Sequence, residues 1–413
     1  MASEGASEEV KSTFNKLLDQ EAIKRGLSFI EQDHKRTIAE QIEMTEIPAP
    51  PFKEQVRAED YMRRLKELNL EDVKIDDEGN VYGIRRGKGD GPRIFVSAHL
   101  DTVFPEGTNT SVVIKDGVMY APGIGDDTRG LAELLAVIRA LNEANIDTAG
   151  DIIFGGTVGE EGAGDLRGVK AFFRDHSDIE GFISMDGEGF NHITYLATGS
   201  YRYAITYKGP GGHSFEAFGT PSATHALGRA IAAIAEIQTV ENPKTTFSVG
   251  QVSGGTSVNA IAQEASMTVD LRSNDKEELD KLEKLFLEIV KKAAKEENSR
   301  WSDDRLSVEI ERFGNRAPAN QQPTAPIVQI ALAAVESIGG QPTLCEPSST
   351  DSNYPMSLGI PSITIGLGGE FGGAHTLEEW HDPKDGHLAI QKSMMTILGV
   401  AGMHGASQAL LEK

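Results

Sequence analysis

The stretch RIFVSAHLD at residues 93–101 decides the predicted fold. Its first six residues are mostly apolar and include β-branched and aromatic side chains, which is typical of a strand covered on both faces. A histidine and an aspartate, His99 and Asp101, follow these six residues at the end of the stretch. We therefore predict a buried strand that delivers two polar side chains to the point where it ends.

Apolar strands and amphipathic helices alternate around this stretch. Short apolar runs predict further strands at 152–154, 182–185 and 362–365. Apolar residues at helical spacing predict helices in the segments 8–46, 58–68, 128–143, 325–338 and 384–401. Strands that alternate with helices form sheets covered on both faces. The sequence thus predicts an α/β fold with a mixed, mostly parallel sheet covered by helices.

A different pattern occupies residues 199–312. Its predicted elements are a strand at 201–207, a helix at 223–236, strands at 245–252 and 265–272, a helix at 275–297 and a strand at 306–310. The order β-α-β-β-α-β is that of a ferredoxin-like unit. We therefore predict that this unit is inserted into a larger domain formed by residues 1–198 and 313–413.

The charge of the chain excludes several classes of partner. Its 413 residues carry 40 Lys and Arg against 63 Asp and Glu, a formal net charge of −23. Such a surface repels nucleic-acid phosphates and anionic lipid head groups, so we expect neither nucleic-acid nor membrane partners. The single cysteine, Cys345, excludes an intrachain disulfide, and neither a secretory signal nor an apolar run of ~20 residues is visible. We expect a soluble, cytoplasmic protein.

A set of acidic and histidine side chains follows the predicted strand ends or opens the helix at 128–143. Its members are His99, Asp101, Asp126, Glu160, Glu161, Asp186 and His375. Because open α/β sheets bind ligands at the carboxyl ends of their strands, we expect these side chains to meet. Crowded carboxylates repel one another, and two divalent cations would neutralise most of their charge. Histidine and carboxylate without thiolate favour Zn²⁺, with Mn²⁺ or Co²⁺ as alternatives, so the sequence predicts a dinuclear metal site.

Each of these residues also has a structural interpretation. Asp126 or Asp127 is suited to cap the helix at 128–143. His99 is compatible with a structural histidine bonded to a carboxylate. Glu160 and Glu161 are compatible with a solvated turn, and Asp186 with an aspartate that begins a turn. A metal site is favoured because all of these features occur together at successive strand ends. The remaining histidines are interpreted as surface or core residues: His34, His176, His192, His225, His381, His387 and His404. Cys345 is interpreted as a small buried side chain.

Six motifs carry a resemblance to a known enzyme family. They are HLDTV at 99–103, GDDTRG at 125–130, GEEGAG at 159–164, SMDGEG at 184–189, GGHSF at 211–215 and GAHTLEEW at 373–380. In this order they resemble the dinuclear metallopeptidase family of aminoacylase, peptidase T, glutamate carboxypeptidase and succinyl-diaminopimelate desuccinylase, and they look closest to the peptidase T-like branch. The resemblance implies that the inserted domain is a lid and dimerisation module, and therefore that the protein is a homodimer.

The resemblance also implies a role for each site residue. The implied metal ligands are His99, Asp126 (bridging both ions), Glu161, Asp186 and His375. Asp101 is implied to orient the imidazole of His99. Glu160 is implied to be the general base, which takes a proton from a metal-bridging water and delivers it to the leaving nitrogen.

Three residues of the inserted domain complete the implied site. His213 resembles a histidine that stabilises the oxyanion in a partner subunit's site. Asn259 resembles a further substrate contact, and Arg272 resembles an arginine that grips a substrate carboxylate. Arg272 is also compatible with a plain surface position on a strand. Glu370 and Phe371, in the glycine-rich segment before His375, indicate no particular substrate.

Residues and resemblance together favour a metal-dependent hydrolase that cleaves an amide bond of a short peptide or an N-acyl amino acid. The same centre would also suit another C–N bond, in a carbamoyl, amidine or aryl amine compound. A non-catalytic binding protein is disfavoured, because Glu160 and all the implied ligands are present together. A dinuclear phosphoesterase is disfavoured because no basic phosphate cradle is visible.

Overall fold

The structure is a computed structural model that describes residues 5–412. Within this range the helices are α1 (Glu8–Asp19), α2 (Glu21–Thr45), α3 (Gln55–Glu67), α4 (Thr128–Glu143), α5 (Arg167–Asp175), α6 (Ala223–Ala235), α7 (Lys276–Trp301), α8 (Pro326–Ser337), α9 (Asn353–Ser357) and α10 (His387–Ala401). The strands are β1 (Glu71–Ile75), β2 (Val81–Arg85), β3 (Ile94–His99), β4 (Val113–Lys115), β5 (Val118–Tyr120), β6 (Ile152–Thr157), β7 (Gly181–Glu188), β8 (His192–Thr194), β9 (Leu196–Ala197), β10 (Gly199–Lys208), β11 (Gly212–His213), β12 (Thr245–Gly254), β13 (Ala260–Ile261), β14 (Glu264–Ser273), β15 (Ser307–Arg316), β16 (Ala319–Asn320), β17 (Thr343–Leu344), β18 (Ser362–Leu367), β19 (Glu370–Gly372) and β20 (Trp380–Asp382). None of these helices has both the length and the hydropathy needed to cross a bilayer.

The larger of two compact units contains the central sheet. It is formed by the described residues up to Ala197 and from Asn320 onward. Its eight-stranded sheet has the order β1-β2-β6-β3-β7-β18-β8-β17. The central strands β6, β3, β7 and β18 are parallel, whereas β2 and β8 pair with them in antiparallel fashion. The predicted mixed, mostly parallel sheet is confirmed, and the carboxyl ends of its central strands lie at one edge.

The side chains of β3 alternate between two hydrophobic clusters. Ile94 and Val96 belong to a cluster built from α1, α2, α4, α8 and α10. Phe95 points to the opposite face, where its ring stacks on Phe172 of α5 with the centroids 3.8 Å apart. All of these side chains are fully buried. Burial on both faces explains why the strand is apolar at successive positions.

Residues 198–319 form the smaller compact unit. Its antiparallel sheet has the order β12-β14-β10-β15, and α6 and α7 pack on one face of it around buried residues such as Tyr207 and Phe286. The elements follow the predicted β-α-β-β-α-β order. The unit extends to Ala319, beyond the predicted boundary at 312, because β15 continues to Arg316.

Several elements of the larger unit differ from the prediction or were not predicted. The segment 8–46 contains two helices, because Gln20 is extended (φ −72°, ψ 127°) between α1 and α2. Gln20 is neither glycine nor proline, so its residue type does not mark the break. The sequence also did not predict β1 and β2. β1, with the sequence EDVKI, has too few apolar residues to indicate a sheet strand.

Candidate metal centre

Neighbouring elements of the larger unit deliver the candidate ligands to the carboxyl edge of the sheet. β3 ends at His99, and the loop after β6 carries Glu160 and Glu161. β7 contains Asp186, and Asp126 lies just before α4. Because β6, β3 and β7 are adjacent and parallel, these residues converge at one edge.

The carboxylate of Asp126 lies between two imidazoles. His99 Nε2 is 2.9 Å from Asp126 Oδ1, and His375 Nε2 is 3.0 Å from Asp126 Oδ2. His375 Nε2 is also 2.9 Å from Glu161 Oε1. Four candidate ligands from distant parts of the chain therefore meet in one place.

The two imidazoles are stabilised as cations beside Asp126. Hydrogen bonds to Asp126 and Glu161 raise the pKa of His375 to about 10. Burial acts to lower the pKa of His99, but the carboxylates of Asp127 and Asp126 outweigh burial and raise that pKa well above its ordinary value. Burial likewise acts to raise the pKa of Asp126, but hydrogen bonds from His375 and His99 hold it below its usual range. The cluster therefore attracts positive charge.

Asp127 is the residue that caps α4. Its Oδ1 accepts a hydrogen bond from the Gly130 N–H at 3.2 Å, and its Oδ2 accepts one from the His99 N–H at 2.8 Å. Asp126 and Asp127 are joined by a cis peptide bond. The capping interpretation thus applies to Asp127, while Asp126 faces the histidines.

Asp101 contacts the site through different atoms from those that the resemblance implies. His99 Nδ1 is 2.9 Å from the main-chain carbonyl of Asp101, whereas the Asp101 carboxylate is 3.7 Å away, too far for a hydrogen bond. That carboxylate instead accepts the N–H groups of Glu160 at 3.1 Å and of Glu161 at 2.9 Å. We therefore correct the prediction: the carbonyl orients the ring, because the carboxylate is already engaged by the loop after β6.

Asp186 completes a second group of donor atoms. One ligand atom each of His99, Asp126 and Glu161 lies within 4.8 Å of the other two. The same is true of His99, Asp127 and Asp186. Burial raises the pKa of Asp186 to about 7; His99 acts against this shift, and the carboxylates of Asp126 and Glu161 add to it.

The donor set fits divalent cations. The contacts of 2.9 and 3.0 Å from His99 and His375 to Asp126 are close to the roughly 3.3 Å that separates two donors of one tetrahedral ion. Nitrogen and carboxylate donors without thiolate suit zinc, manganese or cobalt. A cation would also stabilise the ionised form of Asp186, whose pKa is otherwise raised.

The glycine-rich segment before His375 has a structural explanation. The buried ring of Phe371 lies against Gly125, where an added Cβ would come within 2.8 Å of it. Glu370 is exposed. His375 has a φ of 65°, which is uncommon for a residue other than glycine. Because its ring packs on Gly125, Phe371 supports the loop that carries Asp126.

Sequence reasoning missed one acidic residue next to this loop. Glu379 is fully buried, and its Oε1 accepts the N–H groups of Gly125 at 2.8 Å and of Asp126 at 2.9 Å. Its Oε2 accepts the Gly123 N–H at 2.7 Å. Burial raises the pKa of Glu379 to about 7, although these hydrogen bonds oppose the shift. Two adjacent glutamates in a polar segment resemble a solvated surface, so the sequence offered no signal for this burial.

A buried polar network lies behind the same segment. Arg129 Nε donates to Glu133 Oε1 at 2.7 Å, and the Gly368 N–H donates to the same oxygen at 2.7 Å. His381 Nε2 is 2.9 Å from the Gly368 carbonyl, and its Nδ1 is 3.1 Å from the Gln41 amide nitrogen. Burial lowers the pKa of His381 to about 3, and the Arg129 guanidinium adds to the effect. His381 is a core residue, the buried one of the two positions that the sequence left open.

We expect His381→Gln to flatten the pH dependence of stability on the acid side. The pKa of His381 is lower in the folded chain than in the unfolded one, so between about pH 6.5 and 3 the unfolded state binds the extra proton, and stability falls as the pH falls. From pH 7 to pH 5 the wild type should lose about 2 kcal/mol more unfolding free energy than the variant. Denaturant titrations of both metal-free proteins measure this difference, with His404→Gln, at an exposed histidine, as the control. Equal losses in the wild type and His381→Gln would contradict the prediction.

The smaller unit contains the other three candidate residues. His213 lies on β11, and the N–H of the next residue, Ser214, donates to the Asn259 carbonyl at 2.9 Å. His213 and Asn259 therefore lie close together. Arg272 lies on β14, where its Nε donates to Asp270 Oδ2 at 2.6 Å. Their roles in substrate binding and catalysis stay predictions.

The sequence matches Peptidase family M20/M25/M40 over residues 95–397, a range that includes every candidate ligand. The chain belongs to this family. Membership confirms the resemblance drawn from the motifs and identifies this M20 family chain as a hydrolase.

Known proteins resemble this M20 family chain over most of its length. YqjE of Bacillus subtilis, described as an uncharacterized protein, is 28% identical over 357 residues, which cover 82% of this chain and 91% of YqjE. The succinyl-diaminopimelate desuccinylase of Corynebacterium glutamicum is 22% identical over 333 residues, which cover 79% of this chain and 86% of the desuccinylase. The crystal structure of aminopeptidase PepT from Bacillus cereus matches with a TM-score of 0.71 and 25% identity, covering 88% of this chain and 98% of PepT. These similarities agree with the α/β fold and with the peptidase T-like character of the motifs.

Proposed function

We propose that this chain hydrolyses an amide bond in a short peptide or an N-acyl amino acid. The observation that carries the proposal is the position of Asp126, whose carboxylate lies between His99 and His375 in a member of the M20 family. In this position Asp126, His99 and His375 could together hold divalent cations, which would supply Lewis-acid activation of a carbonyl group and of water.

The proposed metal centre uses only residues of the larger unit. Two divalent cations would be held by His99, Asp126, Glu161, Asp186 and His375. Zn²⁺ is the proposed metal, with Mn²⁺ and Co²⁺ as alternatives, because imidazole and carboxylate suit all three. Such ions, when bound, polarise a carbonyl group and lower the pKa of water.

Glu160 is the proposed general base. It is buried next to the proposed ligand Glu161, and the Asp101 carboxylate holds the backbone N–H groups of both. The Glu160 carboxylate would take the proton of the attacking water and deliver it to the leaving nitrogen. Asp101 would thereby keep the base and a neighbouring ligand in fixed relative positions.

The names of two similar proteins indicate the substrate class. The Corynebacterium glutamicum relative is a desuccinylase, and the Bacillus cereus structure is an aminopeptidase. Both names indicate hydrolysis of an amide bond, in an N-acyl compound and in a peptide. We therefore propose these two substrate types for this chain.

A substrate screen tests the proposed function. The purified chain is loaded separately with Zn²⁺, Mn²⁺ and Co²⁺ and incubated with dipeptides, tripeptides, and N-acetyl and N-succinyl amino acids. Carbamoyl, amidine and aryl amine compounds are included for comparison, and release of amine or ammonia is measured. We expect release from at least one of the peptide or N-acyl amino acid classes. Activity confined to carbamoyl, amidine or aryl amine compounds would redirect the proposal to another C–N bond, and no activity on any compound would contradict it.

The smaller unit is proposed to be a lid through which two chains form a homodimer. His213 would stabilise the oxyanion in the site of the partner subunit, and Asn259 and Arg272 would contact the substrate. Arg272 already pairs with Asp270, so a substrate carboxylate would have to compete with that aspartate.

Subunit complementation tests the shared site. A mixture of His213→Ala and Glu160→Gln chains should recover part of the wild-type activity, because a mixed dimer contains one site with both an intact base and an intact histidine. Each variant alone is the control, and subunit exchange is verified with differently tagged chains. Full exchange without recovered activity would place His213 in the site of its own chain or outside catalysis.

A further inference from the structure

The loop that carries Asp126 is held by a side chain outside the proposed ligand set. Residues 123–126 bring the chain into α4, and two of them, Gly123 and Gly125, are glycines. Gly123 has a φ of 77°, in the left-handed region that glycine tolerates. A loop with this composition has many conformations available to it, so its position depends on the contacts that it makes.

The side chain of Glu379 accepts three of the four backbone N–H groups of this loop. Its two carboxylate oxygens accept the N–H groups of Gly123, Gly125 and Asp126. The main-chain carbonyl of Glu379 accepts a further N–H group, from Ala121 at 3.1 Å. Because the carboxylate is fully buried, water cannot replace these hydrogen bonds without opening the structure.

The segment that contains Glu379 also delivers His375. Phe371, four residues before His375, packs on Gly125, and Glu379, four residues after it, binds the same loop. The two partners of the central contact, Asp126 and His375, are therefore placed relative to each other by one short segment.

We propose that Glu379 is a positioning residue for the metal centre. By holding the backbone of residues 123–126, it sets the carboxylate of Asp126 between His99 and His375. This inference rests on the proposed function, since it takes Asp126 to be a metal ligand. Residues that support ligands in this way typically change metal affinity by about 10–100-fold when they are replaced.

Two substitutions of Glu379 remove these hydrogen bonds in part or completely. Glu379→Gln retains one acceptor oxygen but places an NH₂ group against a backbone N–H, whereas Glu379→Ala removes both acceptor oxygens and all three hydrogen bonds that they accept. We expect the apparent Kd for Zn²⁺ to rise about 10-fold in Glu379→Gln and about 100-fold in Glu379→Ala. Competition with a chromophoric chelator measures this Kd on the full chain, and thermal unfolding of the metal-free proteins separates affinity from stability.

Asp76 provides a matched control. Its Oδ1 also accepts three backbone N–H groups, those of Glu78, Gly79 and Asn80, at 3.0, 2.9 and 2.9 Å. Its loop carries none of the proposed ligands. Asp76→Asn and Asp76→Ala should therefore leave the Kd for Zn²⁺ within about twofold of the wild-type value, well below the ~10–100-fold change expected for ligand-supporting residues.

The outcomes separate this inference from the proposed function. If the wild type binds Zn²⁺ and both Glu379 variants bind it equally well, the positioning role is overturned and the proposed function stands. If the wild type binds neither Zn²⁺ nor Mn²⁺, the proposed function fails as well. If the Glu379 variants do not fold, amide hydrogen exchange of the metal-free wild type decides: the N–H groups of Gly123, Gly125 and Asp126 should be protected, and exchange as fast as in exposed loops would overturn the role.

Discussion

Replacing Glu160 with glutamine is expected to lower kcat by about 10²–10⁴-fold, the contribution of a positioned general base. Glutamine preserves the size of the side chain but does not accept a proton at neutral pH. Because Glu160 is not a proposed ligand, the metal content after dialysis should stay close to that of the wild type. Steady-state kinetics on a substrate from the screen and elemental analysis of the same preparation measure both quantities.

The adjacent substitution Glu161→Gln is the matched control. Glu161 Oε1 is 2.9 Å from His375 Nε2, so this carboxylate is placed as a ligand, and its replacement should lower the metal content. The reverse result, with metal lost from Glu160→Gln and retained in Glu161→Gln, would exchange the two roles. A Glu160→Gln enzyme with undiminished kcat would remove Glu160 from the proton transfer.

The substitution Asp126→Asn should weaken metal binding by more than the ~10–100-fold typical of residues that only support a ligand. The Asp126 carboxylate contacts both His99 and His375, one through each oxygen. Asparagine removes the charge and one of these two oxygens. We therefore expect the loss of at least one ion per chain together with the loss of turnover. Elemental analysis after dialysis against buffers of stated free Zn²⁺ measures the first, and the amine-release assay measures the second.

Asp127→Asn distinguishes between the two neighbouring aspartates. One carboxylate oxygen of Asp127 lies within 4.8 Å of a ligand atom of His99 and of Asp186. The two oxygens of Asp127, however, accept hydrogen bonds from the N–H groups of Gly130 and His99. Asparagine retains an acceptor for the helix cap, so this variant should fold and keep most of its metal. Metal loss confined to Asp127→Asn would assign the ligand to Asp127 and contradict the arrangement proposed here.

Much of the candidate site was predictable because it follows from strand order. His99, Glu160, Glu161 and Asp186 lie in or directly after strands whose apolar composition marks them as buried. The carboxyl ends of parallel neighbours meet at one edge, so locating the strands locates the polar residues that follow them. Other parts of the site were not predictable in this way. The sequence does not reveal which of Asp126 and Asp127 caps α4, because an aspartate is suited to either position.

The sequence by itself determined the α/β class, the inserted β-α-β-β-α-β unit and most of the polar side chains at the carboxyl edge of the sheet, because hydrophobic periodicity and residues at strand ends are local properties of the chain. Only the tertiary structure decided the burial of Glu379 and His381 and the use of the Asp101 carbonyl in place of its carboxylate. Glu379 and Asp126 are far apart in the chain, and their hydrogen bond exists only after the segment at 370–382 has packed against the loop before α4. A glutamate that is solvated in isolation becomes a buried acceptor because three backbone N–H groups are brought to it, and no local pattern encodes that contact.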